Sequence, residues 1–145
     1  VQLPAVDTPQ FDWARNRLED RPQPAPPVYA PRAAAQAVLR AARHGPRELL
    51  VGSSVLQLTL GQLVAPGWLD RKMADAGIRA QKSGAPEPGG RPDNLHTPAA
   101  YPPSATGSYA GERRDRAVVL DGDRLRAAVF GGVPLALFLA GLVLG

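Results

Sequence analysis

The chain has 145 residues, a net charge of +4 and no cysteine, which excludes disulfides and thiolate chemistry. Its positive charge is almost all arginine, scattered singly, with only Lys72 and Lys82 as lysines. No aromatic residues interleave with it, so no nucleic-acid-binding face is expected. With 16 prolines and 15 glycines, the apolar residues are poorly placed to build one large core.

Residues 1–3, Val-Gln-Leu, read as the end of a strand, which Pro4 stops by removing a ladder donor. Opening in mid-strand, the chain reads as a C-terminal piece of a larger protein. Thr8 and Pro9 resemble a helix start, with Thr8 as N-cap and Pro9 at the first helical position. Phe11, Ala14 and Leu18 follow at spacings of three and four, giving a short amphipathic helix with Trp13 off its stripe. Phe11 and Trp13 serve either as packing or as the roof of a ligand cleft.

Residues 21–31, RPQPAPPVYAP, cannot be helical, because each proline removes a donor and biases its predecessor to extended backbone. They form a stiff connector, in which Tyr29 either lines a cleft or anchors the loop by its ring. From Pro31 an alanine-rich helix runs to His44, with Val38 and the neighbouring alanines as a slim apolar stripe. Arg43 and His44 suit its C-terminus, and Gly45 and Pro46 end it. Glu48-Leu49-Leu50-Val51, closed by Gly52, predicts a strand buried on both faces. A helix packed back onto such a strand is half of a βαβ unit and needs a sheet partner.

Beyond Gly52, Ser53 or Ser54 caps a further helix, broken at Pro66-Gly67. Trp68, Leu69, Met73 and Ala76 then repeat through a last short helix stopped by Gly77. From Arg79 to about Ala110 the chain is rich in Pro, Gly and Ser and reads as a surface strap or disordered linker. His96 has no partner at metal-ligand spacing. Residues 127–145 carry no charge over 19 residues, enough for a helix to approach the roughly 30 Å hydrocarbon layer. Arginines 113, 114, 116, 124 and 126 precede this tail, so the positive-inside rule keeps that side cytoplasmic. A tail packed on a partner or on the domain itself is the alternative.

The order of strand end, L-P-A-V-D-T-P-Q-F, lid segment, Pro-rich loop, Ala-rich helix and strand ending Val-Gly resembles the C-terminal portion of short-chain dehydrogenases/reductases. In that family the strand is followed by P-G-x-(V/I)-x-T, which passes over the nicotinamide ring. Residues 3–8 fit this register, with Val6 and Thr8 on the two most informative positions. Leu3 and Pro4 stand where the family has Pro and Gly. The resemblance covers residues 1–77. It implies an NAD(P) cofactor, with Pro4, Val6 and Thr8 on the cofactor side. Phe11, Trp13 and Tyr29 would belong to a substrate lid over a carbonyl or alcohol substrate. In the family the helices after the last strand can supply a subunit interface, which leaves a homo-oligomer open.

The expected fold class is α/β: the C-terminal part of a Rossmann-like doubly wound parallel sheet, then a disordered linker and a hydrophobic helix. Its divisions are 1–77, 78–116 and 117–145. No Gly-rich turn and no Tyr-x-x-x-Lys occur, since Ala33, Ala105 and Arg113 stand four residues after the three tyrosines. No catalytic residue is therefore assigned, and the piece alone is expected to be inactive. The rival expectation is a non-enzymatic adaptor tethered to a membrane by residues 127–145.

Overall fold

A computed structural model describes residues 1–91, 93–98 and 100–144. Its core is small: residues 28–30, Ala33, Ala34, Ala37, residues 49–51 and Val55 are the buried apolar side chains. Two elements with strong local signals build it. Helix α2 (Pro31–His44) begins on a proline and ends where Gly45 turns left-handed, φ 57°. Strand β2 (Leu49–Val51) is buried along its whole length and lies against α2. The buried stripe of α2 is Ala33, Ala34 and Ala37, which brings the helix backbone close to the strand. Val38 turns outward and is exposed. The small methyl groups win this face because β2 already fills the space with Leu49, Leu50 and Val51.

Around β2 the pairing is mixed. Gln2 bridges Leu50 in parallel, its amide donating to the Leu49 carbonyl at 2.8 Å and its carbonyl accepting from the Val51 amide at 3.1 Å. On the other edge β4 (Val119–Asp121) runs antiparallel, with Leu50 opposite Leu120. A second cluster of bridges ties Val6 to Tyr29 and Tyr29 to Arg114, both parallel. Further along the chain, β1 (Asp20–Pro22) pairs antiparallel with β3 (Lys82–Pro86).

This corrects the expected fold class. Among the described residues there are two separate two-stranded antiparallel sheets and no doubly wound parallel sheet. A parallel sheet needs several buried apolar runs joined by crossover helices. This chain has one such run, and its parallel contacts are bridges too short to be strands. The expected disordered linker is corrected with it: β3 lies in that stretch, and residues 107–114 bond back to the N-terminal loop and to residues 28–30.

Several local expectations also shift. Helix α1 (Gln10–Trp13) is a single turn capped by Pro9 rather than by the Thr8 side chain, and Ala14 is already extended. Helix α3 (Ser53–Val64) starts after Gly52, which sits at φ 85°. Helix α4 (Pro66–Ala80) opens on Pro66 and runs straight through Gly77. Proline at a first helical position costs no hydrogen bond, so Pro66 starts this helix instead of merely ending the one before.

At the C-terminal end, α5 (Gly122–Ala127), a π-helical turn (Ala128–Gly132) and α6 (Val133–Leu144) follow without a break. The segment Gly122–Leu142 is 21 residues long and apolar enough to cross a membrane, and its apolar window is unburied. Its base is pinned to the core by charge. Arg126 pairs with Glu48 at 2.5 Å, Gln2 donates to the other Glu48 oxygen at 2.6 Å, and Asp123 faces Arg47 at 3.6 Å.

Candidate functional site

The loop that follows the Val6 bridge is held by a buried carboxylate. Asp7 is fully buried; its side chain accepts from Arg113 at 3.1 Å and from the Tyr109 amide at 3.0 Å. Its backbone carbonyl accepts from the Gly107 amide at 3.2 Å, and its amide donates to the Tyr29 carbonyl at 2.9 Å. Burying an ionised carboxylate is costly unless charge and donors answer it. Arg113 and the Tyr109 amide answer it here, while the Gly107 amide holds the backbone of the same residue. Gly107 is required for the approach, because a Cβ there would stand 2.5 Å from the Thr8 carbonyl oxygen.

With Asp7 turned inward, its neighbours face outward. Pro4, Val6 and Thr8 line a shallow groove of about 460 Å³ together with Phe11 and Ala34. All four of the N-terminal members are half-buried. Among the described residues no hydrogen bond engages the Thr8 hydroxyl, which leaves its donor and acceptors available. Apart from Gln10 the rest of the groove wall is apolar, suited to the face of a flat ring.

Phe11 also reaches a second cleft, of about 660 Å³, on the far side of α1. Trp13 lines it with Tyr101, their ring centroids 6.2 Å apart, and Phe11 meets Tyr109 edge to face at 6.1 Å. Arg91 closes the end of α1, donating to the Phe11 carbonyl at 3.1 Å and to the Ala14 carbonyl at 2.7 Å. Tyr109 donates to the Pro22 carbonyl at 3.2 Å. Burial pushes its phenol up from the ordinary value, and the carboxylates of Asp12 and Glu112 add to the shift. A tyrosine so held keeps its proton and serves as a hydrogen-bonding wall of the cleft.

No family model, no curated protein and no solved structure matches the chain.

Tyr29 joins neither cavity. It is 3 % exposed, and its ring lies against Gly52, where a Cβ would stand 3.0 Å from it. Its hydroxyl accepts from the Ser53 amide at 3.1 Å and is hydrogen-bonded to the Ser53 hydroxyl at 3.2 Å. Burial alone would raise its pKa. The bonds from Ser53 and the nearby Arg114 charge outweigh that and lower it. Tyr29 thus anchors the turn between β2 and α3. The structure brings together Pro4, Val6, Thr8 and Phe11, adds Trp13 across α1, and sets Tyr29 apart.

Sequence reasoning missed Asp7 as the keystone, and missed Arg91, Arg113, Tyr101 and Tyr109. The available signal was two tyrosines and several arginines in a stretch otherwise too poor in apolar residues to pack. Among the described residues no group of three His, Asp or Glu side chains could hold a metal ion.

Proposed function

We propose that this chain is the cofactor-loop and lid portion of an NAD(P)-dependent short-chain oxidoreductase, which moves hydride between the nicotinamide and a carbonyl or alcohol carbon. One observation carries the reading: Val6 and Thr8, which match the family's nicotinamide loop, and Pro4, which stands in its register in place of Gly, line a single mostly apolar groove with Phe11. In that role Val6 offers its backbone to the carboxamide and Thr8 its uncommitted hydroxyl. Phe11 and Trp13, on a single helical turn beside it, roof the substrate. The chain has no Tyr-x-x-x-Lys, so on this reading the acid/base lies outside residues 1–145. The helix from Gly122 attaches this portion to a membrane, with the arginine-rich approach on the cytoplasmic side.

The test is the coding sequence immediately upstream of Val1. An in-frame Gly-rich turn and a Tyr-x-x-x-Lys are expected. In the protein containing both, Thr8→Val should weaken NAD(P)H binding roughly five- to tenfold, the worth of one hydrogen bond. An upstream region lacking both motifs overturns the reading.

One observation favours a second reading, a membrane-tethered interaction module. Strand β4 closes the open edge of β2 from within the same chain. Cooperative urea unfolding of the chain alone is the outcome that reading expects.

A further inference from the structure

The end of α2 and the start of the C-terminal helix enclose a cavity of about 700 Å³. Arg40 and His44, one turn apart on α2, line one side. Arg124 and Ala128, one turn apart on the other helix, line the opposite side, and Leu125 contributes an apolar wall. Three side chains rich in N–H donors therefore converge on one space. Among the described residues no carboxylate lies within ion-pair distance of Arg40, His44 or Arg124, whereas Arg47 and Arg126 nearby are paired. Asp121 also borders the cavity, but its side chain is turned to its own helix, accepting from the amides of Asp123 at 2.9 Å and Arg124 at 3.3 Å.

We propose that this cavity binds the phosphate of an anionic phospholipid headgroup. Two arginines offer fixed, forked donors that suit phosphate oxygens, and the histidine ring adds one more. The position selects lipid over a soluble phosphate. Arg124 and Ala128 belong to the first turns of the helix that is long and apolar enough to span a membrane, so the cavity opens at headgroup depth. The apolar wall at Leu125 and Ala128 continues into the tail and suits the glycerol and upper acyl chain. The proposal rests on the reading that this helix enters a membrane.

The test uses the full chain in a neutral sugar-detergent micelle, titrated with phosphatidylglycerol, phosphatidylcholine or inorganic phosphate and followed by the arginine side-chain NMR signals. Phosphatidylglycerol should shift the Arg40 and Arg124 signals saturably. The double variant R40A/R124A should bind it about thirty-fold more weakly. The variant R43A/R79A, which removes the same charge elsewhere, should change affinity only a few-fold, with circular dichroism confirming both folds. Equal weakening in the two variants, or equal affinity for phosphatidylcholine, overturns the site. Equal affinity for inorganic phosphate overturns the lipid assignment. Carbonate extraction of the chain from membranes tests the membrane reading separately. Release into the wash overturns that reading, while the micelle titration still reports on the cavity.

Discussion

Asp7 decides the geometry around the groove. It lies in the middle of the loop that we propose meets a nicotinamide, yet its side chain points away from the groove and into the protein. There it gathers Arg113 and the amide of Tyr109. Removing the carboxylate leaves a partly solvated guanidinium with only the exposed Asp115 beside it, and leaves the strap held by its remaining backbone bonds. Asp7→Ala should therefore destabilise the chain by about 3 kcal/mol, the lower end of the range for breaking a buried pair because Arg113 can still reach water. Urea unfolding followed by tryptophan fluorescence measures it, and a loss below about 0.5 kcal/mol would show that the strap is held by other contacts.

Charge, not apolar packing, fixes how the C-terminal helix leaves the core. The hydrogen bond from Arg126 holds the Glu48 carboxyl below its ordinary pKa, against the opposing effect of its burial, and Gln2 and Arg47 add to the lowering. A carboxyl whose folded pKa is depressed contributes stability above its unfolded pKa. That contribution is lost as pH falls through the folded value. The melting temperature should thus drop as pH falls below about 4.3, and the gap between the chain and its Glu48→Gln variant should close over the same interval. A gap that stays constant down to pH 3, measured by circular dichroism, would remove Glu48 from this role. The elements themselves differ in how far local sequence announces them. Helix α2 is legible because proline, alanines, terminal cations and glycine all agree. Strand β4 is not: its three residues carry no periodicity, and only the β-branched pair Val118-Val119 before an Asp-Gly turn hints at it.

The molecule exposes 10028 Å², against about 7,100 Å² for a compact monomer of its 15.3 kDa mass. Much of the excess belongs to the C-terminal helix, where Phe130, Leu135, Leu137, Phe138 and Leu142 are all more than half exposed. A contiguous apolar surface of this kind marks an interaction with lipid or protein. Within the remainder, β4 has a particular task, because without it the backbone of β2 would present an open edge. A chain ending at Asp121 should sediment as a monomer, whereas one ending at Arg116 should associate as its concentration rises. Monomeric behaviour of both in sedimentation velocity would show that β4 does not protect the edge.

Local chemistry was sufficient for the helix from Pro31, the buried run at Leu49, the uncharged tail and the absence of a catalytic Tyr-x-x-x-Lys. Each depends on residue types within a few turns of one another. Which segment pairs with β2, where Asp7 points, how Tyr101 and Tyr109 complete a cleft with Phe11 and Trp13, and which cations share a cavity were settled by tertiary structure alone. These depend on hydrogen bonds and burial between segments far apart in the chain. The free energy of such contacts belongs to the pair and is invisible in either segment read singly.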